Sequence, residues 1–305
     1  MGAVPEPSPF TAQLTRTRVT RHEVDVDGLR TAYWGYGQPD AETTILAVHG
    51  FRGDHHGLEP LAAHLDGYRV IAPDLPGYGQ TPPVPGVEQN LDAFTGWLRR
   101  FGALVAPGAV VLGHSFGSIV SSAAVADGMP TPRLILVNPI GAPALEGPRG
   151  VFTRLAVFYY WLGAKLPASI GGALLRMPLI TRVMSVTMAK THERRLRRWI
   201  HEEHERFYSG FASRDSVYQG FVTSVSNNVG DVAERIAQPT LLIAAQHDDI
   251  TPIEKQRELA SRFPDAQLVE IADVGHLIHY ETPEIAAGTI RRFLSAPDER
   301  DPSGR

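Results

Sequence analysis

Short apolar runs alternate with segments of helical periodicity along most of this chain, and this alternation limits the fold more than any other feature. Strands that are buried on both faces of a parallel sheet have such runs, and helices between them cover the sheet. An alternating segment at 18–36 with a turn at Asp27-Gly28 predicts a hairpin before them. The sequence therefore predicts an α/β fold with a mostly parallel sheet flanked by helices. The apolar runs occupy residues 45–48, 70–72, 110–112, 134–137, 241–245 and 268–271.

The strand pattern stops between residues 140 and 236, where segments rich in aromatic and long apolar side chains take over. A connection between a strand and a helix normally needs about 2–6 residues, so this stretch is too long for a loop. We interpret it as an inserted helical cap at 140–236. The core would then comprise 18–139 and 237–296, with flexible ends at 1–17 and 297–305.

The composition excludes several classes of function. The chain has no Cys, which excludes disulfides, Cys-ligated zinc, iron–sulfur clusters and thiolate nucleophiles. Its formal net charge of −4 gives no basic footprint for nucleic acid. No run of apolar residues is long enough to predict a transmembrane helix. The N-terminus lacks the pattern of a secretory signal, so we expect a cytoplasmic location.

Residues 113–117 read Gly-His-Ser-Phe-Gly, directly after an apolar run and at the start of a predicted helix. This is the G-x-S-x-G pattern in the strand–turn–helix setting that exposes a nucleophilic serine. We expect the flanking glycines to allow the sharp turn, and the helix N-terminus to favour a developing oxyanion. Ser115 is therefore the candidate nucleophile.

A serine hydroxyl needs a base, and the base needs an orienting acid. Asp248 and Asp249 follow the run at 241–245, and His276 and His279 follow the last run. Both positions fall at the carboxyl ends of strands, where open α/β sheets build their sites. The oxyanion also needs two backbone donors, and Gly50 allows a turn that would aim the amide of Phe51 beside that of Phe116.

These motifs together resemble the α/β-hydrolase fold serine hydrolases with a helical cap, over roughly residues 20–295. The resemblance implies that Ser115 is the nucleophile, His276 the general base and Asp248 the acid, with Phe51 and Phe116 supplying the oxyanion amides. Asp248 is preferred to Asp249 because the family places its acid four residues before a proline. The motifs that carry the resemblance are His49-Gly50, the turn at 73–79, the serine motif, the segment from Asp248 to Pro252, and Gly275-His276.

The predicted function is the hydrolysis of a carboxylic ester through an acyl-enzyme, without a cofactor or a metal. An apolar cap favours an apolar acyl or aromatic group on a small-molecule substrate, and an aromatic surface there would suit peripheral contact with a membrane. An acyltransferase, a cofactor-free perhydrolase and a carbon–carbon bond hydrolase would share the triad, and a ligand-binding protein of this fold is the non-enzyme alternative. The expected substrate contacts are His49, Gly50, Arg52, His114, Phe158 and Trp161.

Other polar residues have simpler interpretations. Asp74 lies in a turn, where an aspartate commonly binds nearby backbone N–H groups. Asn138 stands where some family members place the acid, but an amide cannot serve as a carboxylate. His201 and His204 are three residues apart, whereas the zinc-binding pattern needs a spacing of four, so a solvated helix face is the better interpretation.

Overall fold

The computed structural model describes residues 7–142 and 150–297, the first four of the second range by their backbone alone. Within these residues, eight strands form one sheet in the order β1-β2-β4-β3-β5-β6-β7-β8. The hairpin strands β1 and β2 are antiparallel, and β3 to β8 run parallel to one another. The predicted fold class is confirmed. The strands are β1 (Val19–Val26), β2 (Leu29–Tyr36), β3 (Thr44–Val48), β4 (Arg69–Pro73), β5 (Val110–His114), β6 (Leu134–Val137), β7 (Thr240–Ala245) and β8 (Ala266–Ile271).

Helices cover both faces of this sheet, because the parallel strands are apolar on both sides. Along β3, Leu46 and Val48 pack into the core on one face, and Ile45 and Ala47 pack into the core on the other. The helices are α1 (Thr11–Arg16), α2 (Glu59–Ala62), α3 (Leu91–Val105), α4 (Phe116–Ala126), α5 (Gly150–Lys165), α6 (Ala168–Leu175), α7 (Pro178–Met188), α8 (Arg194–Phe207), α9 (Arg214–Ser226), α10 (Ile253–Ala260), α11 (Ile278–Glu281) and α12 (Pro283–Ser295). None of these helices is both long and apolar enough to cross a membrane.

Five of the described helices, α5 to α9, are inserted between β6 and β7. They lie where the sequence predicts the cap, and we call them the cap below. The extent of 140–236 as a separate unit stays a prediction, and 143–149 lie outside the described residues. This insertion places helices above the carboxyl ends of the strands, the edge at which Ser115 stands.

The flexibility predicted for the N-terminal segment at 1–17 stays a prediction. Its described part forms α1, and Phe10 packs edge-to-face against His64 and Trp199. These contacts partly bury the aromatic ring between the core and the cap. Residues 1–6 and 298–305 of the two predicted flexible ends lie outside the described residues.

Candidate active site

Ser115 makes the turn between β5 and α4, with φ of 54° and ψ of −119°. Gly113 and Gly117 do not have positive φ, and the structure shows another reason for them. A Cβ on Gly113 would lie 2.5 Å from the carbonyl oxygen of Gly117, and one on Gly117 would lie 2.3 Å from that of Val48. The glycines thus allow the sharp turn, as expected: they leave room for β3, β5 and α4 to approach, while Ser115 itself adopts the positive φ.

Three side chains from separate loops meet at this turn. Nε2 of His276 lies 2.8 Å from Oγ of Ser115, and Nδ1 of His276 lies 2.7 Å from Oδ2 of Asp248. The loops follow β5, β7 and β8, whose carboxyl ends share one edge of the sheet. With Nδ1–H directed at the carboxylate, Nε2 is free to accept the serine proton. The arrangement can therefore generate a serine nucleophile.

The Asp248 carboxylate is buried and bound from several sides. Its Oδ1 accepts hydrogen bonds from the N–H groups of Ile250 (2.7 Å) and Thr251 (3.1 Å), and Oδ2 accepts one from the Thr251 hydroxyl (2.5 Å). Burial raises the pKa of Asp248, but the charge of His276 and these hydrogen bonds outweigh it, so the pKa is lowered overall. Asp249, the alternative acid, instead forms an ion pair with Lys190.

Asn138 holds the loop that carries His276, a contact that the sequence did not indicate. Its Oδ1 accepts a hydrogen bond from the N–H of Ala245 at the end of β7 (2.9 Å), and its Nδ2 donates to the carbonyl oxygens of Gly275 (3.2 Å) and His276 (2.9 Å). The residue is fully buried with φ of 43°. Its position directly after β6 could have indicated this role, because an amide can bind both donors and acceptors of adjacent loops.

The loop after β3 brings one further backbone donor, the N–H of Phe51, toward Ser115. A Cβ on Gly50 would lie 3.3 Å from Cβ of Ser115, so this loop passes directly beside the serine. His49 fixes the loop: its Nε2 accepts from the N–H of Leu75 (2.9 Å), and its Nδ1 donates to the carbonyl oxygen of Gly50 (2.8 Å). No acceptor among the described residues binds the backbone N–H of Phe51 or Phe116. Both groups are therefore available to an oxyanion.

Ser115 and His276 open into a cavity of about 230 Å³. The predicted contacts His49, Gly50 and His114 line it. A larger cleft of about 530 Å³ lies on the outer side of Asp248 but reaches neither Ser115 nor His276, so we assign substrate to the smaller cavity, which holds the reacting groups. Its largely apolar wall includes cap residues that the sequence analysis did not select: Ala156, Tyr160, Met184, Met188, Phe207 and Phe221.

Phe158 and Trp161 do not line the cavity, which corrects their prediction as substrate contacts. They lie on the outer side of α5 with 58% and 43% of their surface exposed, and their rings stack at 5.9 Å. Their neighbours Ala156 and Tyr160 face the cavity instead. The segment is apolar all round, so its sequence does not indicate which side of the helix turns inward.

Arg52, also predicted to contact substrate, points away from the cavity into the cap. Its guanidinium is buried and donates to the carbonyl oxygens of Tyr208 (Nε, 3.1 Å) and Leu175 (Nη2, 2.8 Å) and to the hydroxyl of Tyr160 (Nη1, 3.2 Å). It also lies over the ring of Tyr208, 4.8 Å from its centroid. Since φ of Arg52 is 60°, the loop turns this side chain toward the cap, which it joins to the loop that carries Phe51.

Buried imidazoles surround the candidate base. Burial, with the charge of His276 as a further cause, lowers the pKa of His114 to about 3, and burial also depresses the pKa of His279. Their rings lie 4.1 Å apart, and Nε2 of His114 is 3.3 Å from the carbonyl oxygen of His276. Two imidazoles that favour the neutral form therefore lie beside the candidate base.

The other polar clusters are engaged within the protein. His201 and His204 both bind the Ser185 hydroxyl, at 2.6 and 2.7 Å, and are buried, so the expected solvated face is wrong for these two residues. Asp54, His55 and His56 have ligand atoms within 4.8 Å of one another, a geometry that could hold a metal ion. In this structure, however, the Nδ1 atoms of His55 and His56 bind the carboxylates of Asp74 and Asp54. As predicted, Asp74 also accepts backbone N–H groups, from His55 and Gln80.

Comparison with known proteins agrees with the fold. A family model described as the alpha/beta hydrolase fold matches residues 43–283. The hydrolase YugF of Bacillus subtilis (strain 168) is 26% identical over 280 residues, which cover 88% of this chain and 96% of that protein. A thermophilic esterase from Thermogutta terrifontis superposes with a TM-score of 0.70 at 23% identity, covering 90% of this chain and 98% of its own. An esterase from Exiguobacterium antarcticum gives 0.72 at 18% identity, covering 89% and 97%.

Proposed function

The chain belongs to the alpha/beta hydrolase fold family of enzymes, and on that premise we propose that it hydrolyses a small carboxylic ester through Ser115, His276 and Asp248. The observation that carries the proposal is the unbroken chain of hydrogen bonds from the serine to the buried carboxylate, at 2.8 and 2.7 Å. Such a chain activates a hydroxyl that is otherwise a weak nucleophile.

The reaction would proceed in two steps. Oγ of Ser115 attacks the ester carbonyl carbon while its proton passes to Nε2 of His276, and the resulting oxyanion accepts hydrogen bonds from the N–H groups of Phe51 and Phe116. Collapse of this intermediate expels the alcohol, which takes the proton from His276 and leaves an acyl group on Ser115. His276 then takes a proton from water, which attacks the acyl carbon. The bond from the acyl carbon to Oγ of Ser115 breaks, Oγ takes the proton back from His276, and the acid is released. Asp248 stabilises the charged imidazole in both steps.

The substrate class follows from the cavity. Its volume of about 230 Å³ is below the roughly 300–1,000 Å³ of drug-sized sites, which favours a small ester. The cap wall contributes Met184, Met188 and Phe221, which favours an apolar group on the ester. The esterases among the structural neighbours share the fold and support this choice of reaction.

The first experiment measures hydrolysis of 4-nitrophenyl esters of increasing acyl length. We expect the shortest acyl groups to give the highest kcat/KM, and Ser115→Ala to abolish both the turnover and the covalent labelling by a fluorophosphonate probe. Labelling of the alanine variant would contradict the assignment of the nucleophile. Assays with added alcohol or peroxide distinguish acyl transfer and perhydrolysis, which share the acyl-enzyme.

The two neighbouring aspartates provide a matched pair for the acid. Asp248→Asn should lower kcat by about 10⁴, because the imidazole loses the partner that sets its tautomer. Asp249→Asn should leave kcat near that of the unmodified enzyme, since its carboxylate binds Lys190 rather than His276. Equal losses in the two variants would refute the choice of Asp248.

A further inference from the structure

We propose that the cap docks on the surface of an anionic lipid bilayer through the outer side of α5. The proposal goes beyond ester hydrolysis, because this surface of the cap contributes no residue to the candidate active site. Two observations support it. Exposed apolar side chains lie on the side of the helix that faces away from the cavity, and the surrounding segment is basic.

The outer side of α5 carries Leu155, Phe158 and Trp161, spaced three residues apart, so they share one side of the helix. Their exposed fractions are 60%, 58% and 43%. A soluble surface rarely leaves neighbouring large apolar residues exposed without a function. Tyr159 and Tyr160, by contrast, pack inward against the core. The exposed stripe is thus an outer surface of the same helix that closes the cavity.

Helix α7 repeats this arrangement. Leu179, Val183 and Val186 follow helical spacing on its outer side and are each more than half exposed. Its Met184 and Met188 line the cavity. Two cap helices therefore face the cavity with one side and present an apolar stripe on the other.

The charge of this segment selects the partner. Residues 150–192 contain five Lys or Arg and no Asp or Glu, although the whole chain has a net charge of −4. Arg182 and Lys190 form ion pairs with Glu205 and Asp249, whereas Arg154 and Lys165 are exposed on α5 itself. Apolar residues among basic side chains are typical of helices that lie in the interface of anionic lipids. A second copy would bring two basic surfaces together in a two-fold contact, where like charges repel. An anionic bilayer would bury the apolar stripe and attract the basic side chains around it.

The experiment uses the full chain with vesicles of equal parts phosphatidylcholine and phosphatidylglycerol. Three of the four Trp residues are buried, at 7% exposed or less, so a change in tryptophan emission reports Trp161. We expect a blue shift and quenching by brominated acyl chains on binding, both reduced by high salt. Phe158→Ser should weaken vesicle binding about tenfold, the effect expected for losing one buried aromatic ring.

Leu104→Ser is the matched control, because Leu104 is 59% exposed on α3, outside the cap. We expect this variant to bind vesicles like the unmodified protein, and both variants to unfold at the same urea concentration. Three results would overturn the proposal: no binding to the mixed vesicles, equal binding to pure phosphatidylcholine, or equal binding by Phe158→Ser. Self-association that shields Trp161 from acrylamide without lipid would also overturn it, since a second copy would then cover the surface.

Discussion

Replacing Arg52 tests how strongly the loop that carries Phe51 is held to the cap. Arg52→Ala removes three hydrogen bonds from a buried guanidinium and leaves the carbonyl oxygens of Leu175 and Tyr208 without these donors. Hydrogen bonds to charged groups contribute about 1.5–3 kcal/mol each to stability, but contributions within one network are not additive. Removing the guanidinium also removes the free-energy cost of burying its charge. We therefore expect the free energy of unfolding to fall by about 3–5 kcal/mol.

A second variant separates the lost contacts from the backbone conformation. Arg52→Gly loses the same contacts, but glycine adopts the φ of 60° without the penalty of about 1–2 kcal/mol that a Cβ incurs. Glycine also increases the entropy of the unfolded chain, so the glycine variant should exceed the alanine variant in stability by only about 0.5–1 kcal/mol. A glycine variant is usually less stable than the corresponding alanine variant, so the order expected here is the reverse.

Urea unfolding of the two variants measures both effects, and hydrolysis of a water-soluble ester shows whether the loop still supports turnover. We expect kcat to fall in both variants, because the amide of Phe51 is one residue away. An alanine variant within about 1 kcal/mol of the unmodified protein would refute the reasoning about the guanidinium. An alanine variant that is more stable than the glycine variant would refute the reasoning about φ.

Two further predictions concern buried side chains near the site. Asn138→Ala frees the loop of His276 from β7, so we expect kcat to fall about 100-fold with KM little changed, measured by steady-state kinetics; an unchanged kcat would show that the loop is positioned without the amide. Burial lowers the pKa of His204 from 6.5 to about 3. Between these values the unfolded chain binds a proton that the folded protein does not, so this group makes stability fall as the pH falls through that window. His204→Gln should flatten this part of the pH dependence of urea unfolding, and an identical slope would contradict the assignment.

The sheet could be predicted because its signal is local. Each buried strand is a short apolar run, and the turn at Asp27-Gly28 has the residues that its conformation requires. The loops after β5, β7 and β8 follow from the strands, since parallel strands end at one edge. That Ser115, Asp248 and His276 meet there is thus a consequence of topology that the sequence could anticipate.

Side-chain direction in the cap could not be predicted in the same way. In α5, eight consecutive apolar residues from Leu155 to Leu162 leave no polar side to mark the surface. Arg52 was misplaced for a related reason: its partners on α6 and at the end of α8 are more than 100 residues away in sequence. Contacts of that range depend on how the cap packs, which no local pattern records.

At position 115, folding stability and the proposed chemistry favour different residues. With φ of 54°, this is a site that glycine would occupy more comfortably than any residue with a side chain, yet glycine has no hydroxyl. At positions 113 and 117 glycine is required, because any side chain there would collide with neighbouring backbone atoms. Drift toward a more stable protein would therefore erase the serine first while leaving its flanks intact. A serine at this position lowers the stability that glycine would give, and the proposed role of its hydroxyl in turnover would account for it.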